Sequence, residues 1–390
     1  MTSPTAQQKA DEFWMRKALE LARRAEGLTR PNPPVGAVVV KNGRQIARGF
    51  HKKAGEPHAE ASALKSAGEK ARGATLYVTL EPCSTYGRTP SCTASVLSSG
   101  ISRLVVSVRD PNPRHNGRGM ALLKKAGVKT VEGICSDEGA ALIAPFAKWI
   151  KTGIPYLTLK MAMSLDGKIA DRTSKSKWIS CEKSRKVVMG LRRKADAILV
   201  GMRTVCVDDP SLLSEEQTHS SYRIVVDSMG RIPLSAKILN DGNAMRTVIA
   251  TTKRCSKGRM SAYMSKSAQV WILPSVNGKV SLKHLFRRLG DLGLLHVLCE
   301  GGGELAGGLV KAGLVDEYVF FACPLILGTA RRSVSAIAGT DWLLEKAPRL
   351  KFAECKRVDD DIMIRAFPRE KVERVVPNAF KKRLRRSRST

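Results

Sequence analysis

Four residues, His58, Glu60, Cys83 and Cys92, stand at spacings that could do chemistry. His58 and Glu60 are separated by one alanine, and Glu81-Pro82-Cys83 follows the apolar run Thr75 to Leu80. Cys92 comes after eight further residues. One histidine and two cysteines can supply three ligands of a tetrahedral Zn²⁺ and leave the fourth position for water. Zinc lowers the pKa of such a water to about 7, which makes hydroxide available at neutral pH. Glu60, two residues past the histidine, is placed to take the water proton and return it to a substrate.

A lone histidine, or a pair of cysteines, is most often structural. The joint pattern is another matter: His-Ala-Glu opening an Ala-rich helix, then a strand, then Glu-Pro-Cys at the strand's end. It has the form of the zinc sites that deaminate nucleobases, in which the glutamate is the acid/base and not a ligand. The Cys-x8-Cys spacing is wider than the Cys-x-x-Cys of that signature.

The elements that must hold these residues alternate. A helix over 9–26, with apolar positions Phe13, Ala18, Leu19 and Ala22, leads to the loop Arg30 to Pro34 and a hairpin (35–40 and 45–50) turned at Lys41-Asn42-Gly43. After the His58 helix and the strand at 75–80 come a helix near Cys92, a strand at 104–108, a helix at 117–126, a strand at 128–132 and a helix at 137–151. Such alternation predicts an α/β sandwich around one sheet. The candidate ligands fall at strand ends and helix starts, where helix N-termini favour anions.

A second unit opens beyond Lys151 to Pro155, giving domains over 1–150 and 155–367 and a basic, disordered tail over 368–390. Its strands are read at 156–162, 197–200, 222–227, 248–250, 270–273, 295–299, 316–321 and 361–366, with a helix over 182–195 and a loop at Val207 to Pro210. Glu300-Gly301-Gly302-Gly303 lies between a strand and a helix (304–312). Glycines there let a phosphate approach backbone N–H groups, although this is not the Gly-x-Gly-x-x-Gly fingerprint.

Composition bounds the function. At 390 residues and 43% hydrophobic, the chain can bury two cores. It has no apolar run near the roughly 20 residues of a membrane span. The polar stretch Met1 to Lys9 lacks the apolar core of a signal peptide, so a cytoplasmic location is expected. Of the nine cysteines, the seven other than Cys83 and Cys92 show no framework spacing and are expected as free thiols in a reducing compartment. The net charge of +32 favours anionic ligands, and the 5% aromatic content argues against stacking platforms for single-stranded nucleic acid.

Both halves resemble the bifunctional deaminase/reductase of riboflavin biosynthesis, over roughly residues 10–367. The likeness rests on Pro31-Asn32-Pro33, Gly49-Phe50-His51, Ala54 to Glu60, Thr79 to Ser84 and Gly87 to Pro90 in the first half. In the second half it rests on Lys160, Ser164 to Gly167, Ser176 to Ile179, Arg192, Asp208-Asp209-Pro210 and Glu300 to Gly302. Cys-x8-Cys is that family's own spacing. The resemblance implies a cytidine-deaminase-like α/β/α sandwich followed by a dihydrofolate-reductase-like α/β domain. It implies Zn²⁺ on His58, Cys83 and Cys92, with Glu60 as proton shuttle and Asn32, His51 and Arg88 facing a phosphorylated pyrimidine. It further implies NADPH lined by Ala162, Trp178, Thr204, Asp208, Gly301, Gly302 and Gly303, with Ser176, Arg192, Leu212 and Glu300 facing the substrate. A homo-oligomer is expected, without membrane or nucleic-acid partners.

Two departures stand out. Thr85 occupies a position where the family has histidine, and Glu215 stands where it has an arginine suited to phosphate pairing. A working reductase is expected because the cofactor motifs persist. The rivals are a deaminase with a decayed reductase, a tRNA-type deaminase and a non-catalytic binding protein.

Overall fold

The computed structural model describes residues 5–85, 91–214, 221–328 and 334–370. Arg88, Glu215 and residues 371–390 of the expected tail lie outside them, and the expected tail start at 368 is corrected, because Pro368 still pairs with Leu350 in the last strand. The chain divides into two compact units between Thr152 and Gly153.

The first unit runs α1 (Ala6–Arg23), β1 (Gly36–Lys41), β2 (Arg44–Phe50), α2 (Ala59–Ala67), β3 (Thr75–Leu80), α3 (Cys92–Ser98), β4 (Arg103–Val108), α4 (Arg118–Lys125), β5 (Lys129–Glu132), α5 (Ser136–Leu142) and α6 (Ala144–Thr152). Its sheet has the order β2-β1-β3-β4-β5. The hairpin β1–β2 and the pair β1–β3 are antiparallel, while β3, β4 and β5 are parallel. Side chains alternate along β1 because successive residues point to opposite faces. Val38 and Val40 join Met15, Ala18, Leu19 and Ala22 of α1 on one face. Ala37 and Val39 join Ala59, Ala63, Val96 and Leu123 of α2, α3 and α4 on the other. The result is a three-layer α/β/α sandwich. Two expectations are corrected. Phe13 is 52% exposed, because α1 buries the stripe through Met15, Ala18 and Leu19 instead. The helix expected over 137–151 is two helices parted at Ile143.

The second unit runs β6 (Tyr156–Ser164), β7 (Lys168–Ala170), α7 (Glu182–Lys194), β8 (Ala197–Gly201), α8 (Met202–Asp208), β9 (Tyr222–Val226) and α9 (Lys237–Asn240). It continues with β10 (Thr247–Thr251), α10 (Lys257–Ser265), β11 (Gln269–Ile272), the short pair β12 (Ser275–Val276) and β13 (Lys279–Val280), and α11 (Leu282–Asp291). The last elements are β14 (His296–Cys299), α12 (Gly303–Lys311), β15 (Glu317–Cys323), β16 (Val334–Ser335), β17 (Leu350–Val358) and β18 (Asp361–Pro368). A nine-stranded sheet has the order β11-β10-β9-β8-β14-β6-β15-β18-β17. It is parallel from β11 to β15, and β18 and β17 close it antiparallel. Buried residues alternate between two apolar clusters, one through Leu157, Leu199 and Phe286 and one through Ile198, Val200 and Tyr263. Burial on both faces suits strands that read as continuous apolar runs.

The loop expected at Val207 to Pro210 is corrected: residues through Asp208 form α8. The turn signal was real one residue later, since Asp209 ends the helix in the left-handed region with φ 40°.

Candidate active sites

In the first unit, local structure frees each metal-type side chain. His58 is the N-cap of α2 but makes no capping bond with its side chain, so the ring is available to the cluster. Ser91 caps α3 through a bond accepted from Ala94 N–H, so the Cys92 thiol at the helix start is not used for capping. Cys83 lies just past the end of β3, and Cys92 N–H donates to its sulfur at 3.3 Å.

The three ligand-type atoms lie within 4.8 Å of one another. His58 Nδ1 is 3.1 Å from Cys92 Sγ and 3.8 Å from Cys83 Sγ. Zinc with ordinary Zn–N and Zn–S lengths at a tetrahedral angle sets ligand atoms about 3.5 Å apart. The donor set and its spacing therefore fit the ion.

Electrostatics point the same way. The Cys92 thiol donates to Cys83 and, together with His58, holds Cys83 down at about 4 against the effect of burial. Cys92 is correspondingly pushed up by its bond to Cys83 and by burial. One thiol is thus already disposed to be the thiolate that binds metal. Glu60 is buried beside Cys92, and desolvation raises its carboxyl to about 7. His51 donates from Nδ1 to Pro57 carbonyl at 3.2 Å, and its Nε2 meets Asn32 Nδ2 at 3.1 Å. Nε2 must then accept, so the ring is neutral; burial, the largest cause, lowers its pKa in agreement. The His51 and His58 rings meet edge to face at 5.1 Å. Asn32, His51, His58, Glu60, Cys83 and Cys92 are thus brought together, whereas Thr85 is exposed.

In the second unit a cleft of about 1680 Å³ opens at the carboxyl ends of β6, β8, β9 and β14. Open α/β sheets bind ligands at such ends. The volume exceeds the ~300–1,000 Å³ of pockets for one small ligand, which leaves room for two. Ala162, Ser176, Trp178, Arg192, Thr204, Asp208, Glu300 and Gly301 to Gly303 all line it. Arg192 donates to both carboxylate oxygens of Glu300 at 2.5 and 2.9 Å and to Leu213 carbonyl at 3.0 Å. Ser176 Oγ donates to Asp208 at 2.5 Å. A Cβ on Gly303 would stand 2.1 Å from Ser335 carbonyl, so only glycine permits that approach of backbone to backbone. The glycine cradle and the size of the cleft fit a dinucleotide.

Leu212 departs from expectation. It is 2% exposed and packs among Ile198, Val200 and Val205, so its side chain belongs to the core and not to the lining. Three functional candidates had no assigned role in the sequence reading. Lys160 was quoted only as part of a motif, yet it lines the cleft beside Glu300 and Arg192; burial lowers its pKa. Ser228 and Arg254, at the ends of β9 and β10, line the same cleft, with no local signal to mark them.

Comparison with known proteins agrees with this geometry. Residues 8–108 match the cytidine and deoxycytidylate deaminase zinc-binding region, and residues 155–364 match the RibD C-terminal domain. The riboflavin biosynthesis protein RibD of Aquifex aeolicus is 45% identical over 82% of this chain and 88% of its own. The Acinetobacter baumannii RibD structure is 36% identical, with a TM-score of 0.82 over 93% of this chain and 99% of that one. A Thermotoga maritima structure described as a diaminohydroxyphosphoribosylaminopyrimidine deaminase/5-amino-6-(5-phosphoribosylamino)uracil reductase is 32% identical, with a TM-score of 0.82 over the same shares. A zinc-type ligand cluster, a glycine-walled cleft and likeness along nearly the whole chain converge: this protein belongs to the RibD family of riboflavin-biosynthesis enzymes and carries both its deaminase and its reductase domain.

Proposed function

We propose that this chain carries out two consecutive reactions. Residues 1–150 hydrolytically deaminate 2,5-diamino-6-(5-phosphoribosylamino)pyrimidin-4-one, and residues 155–367 reduce the ribosyl chain of the product to ribityl. The observation that carries the reading is the convergence of His58, Cys83 and Cys92 beside buried Glu60.

His58, Cys83 and Cys92 would hold zinc, which when bound makes water nucleophilic at neutral pH. Glu60 takes a proton from the attacking water and delivers it to the departing nitrogen. A ring C–O bond replaces a C–N bond, and ammonia leaves. Asn32 and neutral His51 offer hydrogen bonds to the pyrimidine or its ribose, with Arg88 assigned to the same ligand. Substituting Glu60→Gln should preserve zinc content and abolish ammonia release; unchanged turnover would remove Glu60 from the mechanism.

The second domain would hold NADPH, which when bound would supply hydride. Gly301 to Gly303, Thr204, Ala162, Trp178 and Asp208 form its bed, while Ser176, Arg192 and Glu300 orient the substrate. Reduction also needs a proton, and half-buried Lys160 in the cleft wall is a donor for it. The preserved Arg192–Glu300 pair supports an active reductase over a decayed one. A flat NADPH absorbance trace with the deaminated intermediate would reverse that. The reading includes a cytoplasmic, homo-oligomeric enzyme. Free thiols support the first point. The exposed Phe352 and Ile362 at the β17–β18 sheet edge support the second, and light scattering tests it. Among the described residues no helix is long and apolar enough to cross a membrane.

A further inference from the structure

Cys83 hangs from a loop, three residues beyond the last residue of β3. Metal–ligand distances tolerate only about 0.2 Å of error, so something must hold that loop. The side chain two residues earlier has the geometry to do so. Glu81 is buried, and its carboxylate accepts four backbone N–H bonds. Asp110 and Gly117 donate to one oxygen at 3.2 and 2.8 Å, and Gly119 and Met120 donate to the other at 3.0 and 3.3 Å. The N-terminus of α4 has no cap of its own: Gly117 stands at the N-cap position and lacks a side chain. A carboxylate from a distant strand end fills that place, where the exposed N–H groups and the helix dipole favour an anion.

The contact is closed from the other side as well. A Cβ on Gly119 would lie 2.2 Å from Pro82 carbonyl, so α4 is seated directly on the peptide that precedes Cys83. Beyond it, Cys83 carbonyl accepts from Thr93 N–H at 3.2 Å and Cys83 sulfur from Cys92 N–H at 3.3 Å. Residues 81 to 83 are therefore gripped between the starts of two helices. Glu81 holds one end, and the first turn of α3, which carries the other cysteine, holds the other.

We propose that Glu81 is a positioning residue of the deaminase site, which with Gly119 sets the place of the Cys83 sulfur relative to His58 and Cys92. This rests on the zinc-deaminase reading and adds a residue that touches neither metal nor substrate. Outer residues that orient metal ligands typically control affinity by about 10–100-fold. In Glu81→Gln the amide cannot accept on both sides and sets an NH₂ against two N–H donors. In Gly119→Ala the same peptide is pushed from the helix.

The test uses the full chain in three forms: wild type, Glu81→Gln and Gly119→Ala. Zinc affinity is measured by competition with a chromogenic chelator, and the visible spectrum is recorded after Co²⁺ substitution. Circular dichroism checks the fold. Both variants are expected to bind zinc about 10–100-fold more weakly, with altered thiolate-to-cobalt bands and a native dichroism spectrum. Wild-type affinity and an unchanged cobalt spectrum in both variants overturn the proposal, whatever their melting temperatures. Failure of both to fold also overturns it, because the residue would then secure the domain and not the ligand. A wild-type chain that takes up no zinc would instead sink the functional reading itself.

Discussion

Replacing Glu300 by glutamine removes a charge from the best-buried ion pair of the reductase cleft. Arg192 and Glu300 side chains are only 14% and 7% exposed, and the pairing is bidentate. Breaking such a pair from one side costs about 3–5 kcal/mol, because the remaining charge stays buried without a partner. Glutamine still offers one acceptor to Arg192, and Leu213 carbonyl keeps its bond, so about 3 kcal/mol is expected. For a unit of this size 1 kcal/mol moves the melting point about 2–4 °C, which makes the shift about 6–12 °C. Lys160 feels the change too. Burial already lowers its pKa, and Glu300 is the anion that opposes this. Without it the amine loses its proton more readily. Calorimetry of Glu300→Gln should show the transition that responds to NADP⁺ moving down while the other stays. NADPH oxidation should collapse and ammonia release persist. A variant whose melting point moves by less than about 2 °C would refute the ion-pair argument, since it implies a cost below roughly 1 kcal/mol.

Four further outcomes are expected. Stripping the protein with a chelator should abolish ammonia release, and Zn²⁺ should restore it; residual activity in metal-free protein would exclude the ligand assignment. The Gly303→Ala change should weaken NADP⁺ binding measured by calorimetric titration, because its Cβ meets Ser335 carbonyl at 2.1 Å; unaltered binding would show that the wall can yield. Burial pushes the Asp11 pKa up, but hydrogen bonds from Arg103, Tyr77 and Gln7 outweigh it and leave the group below its ordinary value. Its stabilising contribution is present above the unfolded pKa near ~4 and disappears as pH falls through the folded value. The stability gap between wild type and Asp11→Asn, read from urea titrations, should therefore shrink below about pH 4; a gap independent of pH would contradict the pairing. In Lys160→Met, reduction should fall while ammonia release continues, as followed by parallel assays of both products; intact reduction would strip Lys160 of its role.

The deaminase ligands were legible because their chemistry is written locally: His58 and Glu60 share one helical turn, and Cys83 follows an unmistakable apolar strand. The hairpin was legible too, since the apolar run 35–40 and the turn at Asn42-Gly43 match β1 and β2, but which β1 side chains enter which layer became visible only in the structure. Helix α8 was missed because seven residues are too few to show a period, and the Asp-Asp-Pro that follows reads as a turn. Helix α11 escaped despite its apolar stripe through Leu285, Phe286 and Leu289. Leu212 was assigned to the ligand, yet its neighbours come from β8, α8 and the segment after β9, which no local pattern reveals. Glu81 was noticed as part of a motif, but its four partners lie 29 to 39 positions along the chain. Their convergence exists only once α4 has docked.

The position of β6 bears on how the protein is made. The strand opens the second unit, yet both of its neighbours, β14 and β15, come from near the unit's end. A ribosome adding about 5–20 residues per second needs roughly 7–26 s to reach β14 after it has finished β6. Throughout that interval Leu157, Leu159 and Met161 belong to a strand with both edges open, a recognised seed for aggregation. Any premature stop before β15 leaves the centre of the sheet without its second partner.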